Sequence, residues 1–518
     1  MNETELDWHI CSRARLSRDP RFDGKFFIGV HGSGVYCRVI CPAPTAKEKN
    51  CRYFATAAGA AEAGYRPCLR CRPECAPGTP AWLGTSATVA RALRLIEERG
   101  LEEEGVEGLA ERLGVGARHL RRLFLQHLGA SPTAVARTRR AHFAKKLIDE
   151  TTLSMTHIAM AAGYGSVRRF NADFAKFYRR TPSEIRAKVR ATGALPEHEY
   201  TFLLRFRPPF DWKGMLALLR ASAVPHVESI DDGSYRRNIS LQGCDGYLHV
   251  SLDEKRSGLR ARIQFSNPRA LFQIVERVRR IFDLNADWTS LSQTLGSDPL
   301  LAPRLRAWPG LRVPGCWDSY ELAACTIVAA RANGRGTREL SHIIERFGRP
   351  VRNSSGLTRA FPEPRVLAAA NIAEFGLIGK RASILQGFAR AIVDGRIDFD
   401  RIVDSDGFIT RMRAMTGMDQ WMAQYISMRA LGEPDAFPVD KQNLPVNFDG
   451  IAAFKQYAEA WRPWRSYAAV YLGVPENMAS APGTSVRRRS NLVHPAYAHA
   501  ISGDLYEARR QNGDLQTQ

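Results

Sequence analysis

The chain has 518 residues, 44% of them apolar, which suffices for three or four domains with ordinary cores and excludes a disordered chain. Lysine and arginine number 74 against 53 acidic residues, a net charge of +21, so a polyanionic partner is expected, nucleic acid before a membrane surface. There is no run of eighteen apolar residues, and the opening MNETELDWHI is acidic and polar. A transmembrane span and a secretory leader are therefore not expected, and the predicted location is cytoplasmic.

In chain order, the first informative elements are Cys37 and Cys41, spaced Cys-x3-Cys, and Cys68 and Cys71, spaced Cys-x2-Cys. Two short cysteine pairs from separate segments predict a tetrahedral Zn²⁺ site. The spacing alone admits two readings, a structural zinc ribbon or a site in which one metal-bound thiolate also reacts. The other six cysteines, Cys11, Cys51, Cys75, Cys244, Cys316 and Cys325, have no partners at ligand spacing and read as ordinary reduced thiols.

The flanking sequence narrows this choice. RDPRFDGKFFIGV and HGSGVYCRVIC, from Arg18 to Cys41, followed by GYRPCLRC from Gly64 to Cys71, resemble the N-terminal domain of the Ada proteins of the bacterial alkylation response. The resemblance implies that Cys37 irreversibly accepts a methyl group from a methylated DNA phosphate while Cys37, Cys41, Cys68 and Cys71 hold zinc. Val39 and Ile40 depart from the Pro and polar residue usual in that loop, leaving every ligand in place. This first domain is assigned to residues 1–78.

Residues 84–192 show helical apolar periodicity, and LAERLGVGARHLRRLFLQHLGASP from Leu109 is echoed by IAMAAGYGSVRRFNADFAKFYRRTP from Ile158. Each copy carries a Gly turn (Gly114, Gly163) before a basic helix, as in a helix-turn-helix. The pair resembles the DNA-binding domain of AraC-type regulators. Leu120, Leu123, Phe124, Phe170, Phe174 and Phe177 are expected in the core. Arg118, His119, Arg121, Arg122, Ser166, Arg168, Arg169 and Asn171 are expected to face DNA. Residues 80–195 carry 20 basic and 11 acidic side chains, a local charge of +9.

From Tyr200 onward alternating stretches predict a small α/β domain, residues 199–284, followed by a helical domain, residues 285–476. The segments YTFLLRFRPPFDWKGMLALL, LRVPGCWDSYE, FPEPRVLAAA, GLIGKRASIL and AEAWRPWRSYAAVYL resemble the AlkA-type 3-methyladenine DNA glycosylases. That implies a TATA-binding-protein-like α/β domain and a helix-hairpin-helix domain that flips an alkylated base into an aromatic pocket. Trp421 and Tyr425 match pocket positions, with plain core packing as the other reading. Asp440 matches the catalytic carboxylate, or else is a helix N-cap.

Three departures stand against excision. Met415-Thr416-Gly417-Met418-Asp419 replaces the Leu-Pro-Gly-x-Gly hairpin, and a carboxylate at Asp419 is expected to lose the tight turn and repel the phosphate that the loop at Gly417 should hold. Arg331 stands where an apolar wedge is usual. Aligned without gaps from the hairpin, the catalytic Asp falls on Lys441, one residue past Asp440. Trp421 occupies the place of the lyase lysine, so strand cleavage is not expected.

The expected architecture is multidomain α+β: a zinc-bound four-cysteine α/β domain, an all-α double helix-turn-helix domain, a TATA-binding-protein-like α/β domain and an all-α helix-hairpin-helix glycosylase domain. Residues 477–518 are expected to form a disordered basic tail. The expected function is methylphosphotriester repair, methylation-dependent transcriptional activation and excision of alkylated bases. The alternative is a non-enzymatic regulator whose C-terminal half only binds DNA. The expected partners are double-stranded DNA, damaged or promoter, and RNA polymerase, with no membrane.

Overall fold

The computed structural model describes residues 6–77, 87–99, 101, 104–187, 198–231, 233–330, 335–351, 356–371, 377, 379–399, 402, 405–439, 444–445 and 448–473. Arg331, Asp440, Lys441 and the tail from residue 477 lie outside them.

The N-terminal unit opens with helix α1 (Trp8–Ser17), whose first turn is capped by the Asp7 carboxylate accepting from the Ile10 amide. Strands β1 (Phe27–Val30), β2 (Val35–Cys37), β3 (Cys51–Phe54) and β4 (Arg66–Pro67) form one sheet in the order β3-β1-β2-β4, with helix α2 (Ala57–Glu62) against it. Strands β2 and β4 run parallel with Tyr36 opposite Pro67, which brings the Cys37 and Cys68 ends of the two strands side by side.

Next come seven helices: α3 (Ala87–Arg99), α4 (Gly105–Arg112), α5 (Ala117–Leu128), α6 (Pro132–Glu150), α7 (Met155–Ala161), α8 (Val167–Tyr178) and α9 (Pro182–Arg186). The repeated Ser-Pro and Thr-Pro pairs start α6 and α9. Ser131 and Thr181 are the N-caps, and the following prolines sit where no amide partner is needed. Leu120, Phe124 and Leu128 on α5, and Phe170, Phe174 and Tyr178 on α8, recur every four residues and are buried, as one helix face requires. Leu123 and Phe177 are only half-buried at the margin of that core.

The helical domain does not have one core of its own. Helices α3 to α5 and the start of α6 form one apolar cluster, whereas the end of α6 and α7 to α9 share a continuous cluster with everything C-terminal.

A five-stranded antiparallel sheet follows, in the order β5-β9-β8-β7-β6, from β5 (Glu199–Arg205), β6 (Glu228–Ile230), β7 (Ser234–Leu241), β8 (Cys244–Asp253) and β9 (Gly258–Phe265). Burial in β5 alternates residue by residue, as for a strand covered on one face. Helices α10 (Trp212–Ala221) and α11 (Leu271–Ile281) contribute buried Met215, Leu219, Ile274 and Val278.

The remaining helices are α12 (Trp288–Leu295), α13 (Ala302–Ala307), α14 (Ser319–Ala329), α15 (Gly336–Phe347), α16 (Pro364–Ala369), α17 (Lys380–Val393), α18 (Ser405–Thr416), α19 (Gln420–Ala430), α20 (Ile451–Tyr457) and α21 (Arg465–Gly473). Helix α14 packs against both α17 and α19, and α18 joins α19 through the short hairpin at Gly417. Arg237 on β7, buried, bonds both carboxylate oxygens of Glu321 on α14 at 3.0 Å and so ties sheet to helices. No helix among the described residues is long and apolar enough to cross a membrane.

Candidate zinc centre and DNA-facing sites

Cys37 ends β2, Cys41 lies in the turn whose amide returns to the Arg38 carbonyl (3.2 Å), and the Cys68 amide bonds the Tyr36 carbonyl (3.0 Å). Cys71 lies in the turn that follows. The four sulfurs all fall within 4.8 Å of one another. A tetrahedron of Zn–S bonds of about 2.3 Å has S···S edges of about 3.8 Å, so the donor set fits a closed zinc site with little adjustment. Cys37, Cys68 and Cys71 are buried and Cys41 is half-buried. The site holds Zn²⁺.

Backbone amides are distributed unevenly over these sulfurs. The Arg38 amide donates to Cys71 Sγ at 3.3 Å. Among the described residues none is directed at Cys37.

Of the residues on either side of Cys37, Tyr36 reaches into the helical domain and Arg38 is held within its own. Tyr36, fully buried, lies 2.7 Å by its hydroxyl from Nε2 of His142 on α6, and the His142 ring meets the edge of Phe177 on α8. Around this contact Arg72 pairs with Asp149 (2.8 Å) and Lys145 with Glu74 (3.4 Å), so the zinc domain sits on the connecting helix of the double helix-turn-helix. Arg38 turns toward Asp23, with Nε 2.9 Å from Oδ1 in a buried ion pair. This explains two of the sequence landmarks: Arg-Phe-Asp-Gly supplies Asp23 and Tyr-Cys-Arg supplies its partner.

Burial pushes the half-buried His142 down to about 4, reinforced by Arg139 and Lys145 and opposed by Glu74. An imidazole that titrates near 6.5 when unfolded and lower when folded stabilises the fold fully above pH 6.5, and that contribution is lost as pH falls toward 4. Its ceiling is about 3 kcal/mol. Urea titrations from pH 4 to 7 should therefore show wild type losing up to that much more stability on acidification than His142→Gln; parallel curves would show that His142 does not titrate in this window.

Arg118, His119, Arg121 and Arg122 are all exposed on α5, as are Arg168, Arg169 and Asn171 on α8, opposite the buried faces. Two of these positions also have internal roles. Ser166 is the N-cap of α8, accepting from the Arg169 amide at 3.2 Å, and Arg121 pairs with Glu107 at 2.5 Å. The second recognition helix also packs beside β4, just before Cys68, so the reading surface and the metal site are neighbours.

In the C-terminal half Trp421 and Tyr425 stack with centroids 5.1 Å apart and planes 14° from parallel. The Tyr425 hydroxyl accepts from Arg429 at 2.7 Å, and Arg429, buried, also holds the carbonyls of Pro314 (3.0 Å) and Gly315 (3.1 Å). This anchors the aromatic pair rigidly. The Gln424 side-chain oxygen accepts from the Phe437 amide at 3.0 Å, drawing the segment that leads to Asp440 onto the same helix. Asp440 and Arg331 themselves lie outside the described residues.

The hairpin corrects one expectation. The turn is kept: Gly417 carries the left-handed backbone, φ +74°, while Asp419 is extended, φ −78°, and needs no glycine. Its carboxylate caps α19 by accepting from the Met422 amide at 2.9 Å, and the buried Thr416 hydroxyl bonds the Met412 carbonyl at 2.7 Å. The loop has exchanged a Pro-Gly frame for side-chain caps, and α18 and α19 still meet.

A thiolate metal site seated on a double helix-turn-helix, followed by a sheet and helical hairpin, defines a multidomain DNA-binding protein. Its segments match family models described as the metal binding domain of Ada (residues 10–74), a helix-turn-helix domain (residues 109–188) and the AlkA N-terminal domain (residues 201–318). Over 477 residues the chain is 34% identical to a Mycobacterium tuberculosis protein described as a probable bifunctional transcriptional activator/DNA repair enzyme AlkA, covering 90% of this chain and 96% of that one. It is also 28% identical to the Escherichia coli DNA-3-methyladenine glycosylase 2, covering 53% of this chain and 97% of that protein. Similarity to the E. coli bifunctional transcriptional activator/DNA repair enzyme Ada is 32% over 170 residues, 33% of this chain and 44% of that one. The chain belongs to the family of bifunctional transcriptional activator/DNA repair enzymes that join Ada-type and AlkA-type parts.

Proposed function

We propose that this protein repairs methylphosphotriesters at Cys37, activates transcription once methylated, and excises alkylated bases with its C-terminal half. What carries the reading is the coincidence of a closed four-cysteine cluster with similarity running through 90% of the chain to a relative described as a probable bifunctional transcriptional activator/DNA repair enzyme. Zinc bound there keeps the sulfurs deprotonated at neutral pH.

In the repair step the Cys37 thiolate attacks the methyl carbon of the phosphotriester. The S–C bond forms as the C–O bond breaks, and the electron pair leaves on the phosphodiester oxygen. The acceptor becomes a thioether and is not regenerated. The formal charge of the zinc–sulfur cluster rises from −2 to −1, which lessens repulsion of the DNA backbone beside α8. Tighter promoter binding through α5 and α8, with recruitment of RNA polymerase, is the regulatory output.

For excision, Trp421 and Tyr425 form one wall for the flipped base and Asp440 stabilises the positive charge that develops on the sugar. The preserved Gly417 turn supports DNA anchoring by the hairpin, and Arg331 is the residue proposed to fill the gap left by the flipped nucleotide. The test is two assays on the full chain: transfer of labelled methyl from a phosphotriester oligonucleotide to protein, and release of 3-methyladenine from alkylated duplex DNA. Neither signal above a buffer control would refute the proposal.

A further inference from the structure

The zinc domain is fastened to the glycosylase half by a buried chain of polar contacts that begins one residue from Cys37. The Arg38 amide donates to Cys71 Sγ (3.3 Å) and its guanidinium to the Cys71 carbonyl (3.1 Å), so Arg38 fixes the distance between the two cysteine turns. The guanidinium is held by the Asp23 carboxylate. The Asp23 carbonyl in turn accepts from Nε of Arg207 at 2.8 Å.

Arg207 follows β5 in the α/β domain and is 1% exposed. It is fixed from its own side: its guanidinium donates to the Asn285 carbonyl at 2.7 Å, and its carbonyl accepts from Arg312 at 2.6 Å. One residue beyond Asp23, Gly24 has φ +76°, and a Cβ there would lie 2.1 Å from the Pro77 carbonyl oxygen and 3.2 Å from an Arg207 nitrogen. The Gly24 backbone is thus packed against Pro77 of its own domain, with Arg207 of the distant domain beside it. Lys25 adds an ion pair to Asp287 at 2.6 Å.

We propose that Arg207, a residue of the glycosylase half, is a positioning residue for the methyl-accepting zinc cluster, acting through Asp23 and Arg38. It rests on the reading of Cys37 as the acceptor. Arg207 holds the Asp23 carbonyl, the carboxylate of the same residue orients Arg38, and Arg38 sets the Cys37 and Cys71 turns. Groups that orient metal ligands from behind typically alter metal-site function about 10- to 100-fold when removed.

The experiment uses the full chain as wild type, Arg207→Met, Arg207→Lys, Asp23→Asn and the Arg207→Met/Asp23→Asn double variant, compared at equal zinc stoichiometry. Methyl-transfer rate is one readout. The second is the thiolate-to-metal charge-transfer band of the Co²⁺-substituted protein, which senses the bond geometry at the sulfurs. Expected are a rate lowered about tenfold or more and a displaced band in Arg207→Met, partial recovery in Arg207→Lys, and a double variant no slower than the slower single one. A wild-type rate and band in Arg207→Met, no recovery with lysine, or additive losses would overturn the proposal. If Arg207→Met does not fold, Arg207→Gln decides by the same two readouts. If the wild type transfers no methyl group, the repair reading fails by itself, and the Co²⁺ band still judges Arg207: an unmoved band rejects its positioning role.

Discussion

Cys37→Ala is expected to abolish methyl transfer while leaving much of the zinc in place. Three thiolates remain, and three protein ligands with a water are a stable coordination for Zn²⁺. Removal of one thiolate also changes the formal charge of the cluster from −2 to −1, the value reached by methylation. The variant should therefore bind promoter DNA as tightly as the methylated wild type and stop responding to methylated DNA. A unit charge about 6 Å from a phosphate, at an effective dielectric of about 40, is worth about 1.4 kcal/mol, so the affinity gain is about tenfold and shrinks with added salt. Mass spectrometry of protein after incubation with a methylphosphotriester duplex checks the first part, and a salt-series binding titration the second. A +14 Da adduct persisting in Cys37→Ala would assign the acceptor role to another cysteine.

The second large effect concerns base release. Asp440→Asn should lower 3-methyladenine release by about 10²- to 10³-fold or more, because loss of one preorganised electrostatic partner of a developing charge has that scale. Lys441→Ala should retain activity to within a few-fold. The pair resolves the one-residue register ambiguity, since a single-turnover assay that ranks the two variants the other way would place the chemistry at position 441. If wild type and Asp440→Asn release base equally slowly, the C-terminal half is a DNA-binding module of a regulator.

Neither effect would be separable from misfolding if the domains were loosely strung. The structure gives reason to expect clean phenotypes: the end of α6 and α7 to α9 share their apolar core with the C-terminal half, and the zinc domain is pinned to both neighbours through Tyr36 and Asp23.

The local chemistry was determined by the sequence by itself, because it depends on spacing and periodicity. Two cysteine pairs three and four residues apart can close on one metal, and apolar residues every four positions on α5 and α8 make one buried face and one basic face. The N-caps at Ser131 and Thr181 are equally short-range, the cap and its following proline being adjacent in the chain. Reading Asp419 as the loss of the hairpin turn was mistaken because which glycine of a turn needs a positive φ is a property of the folded backbone, and here it is Gly417. Tertiary structure alone decided what Tyr36, Arg38 and Asp23 are for. Their partners lie 106 residues away for Tyr36 with His142, and 184 for Asp23 with Arg207. No periodicity or spacing carries information over such separations; burial in a common interior, where a polar group must find a partner, is what brings them together.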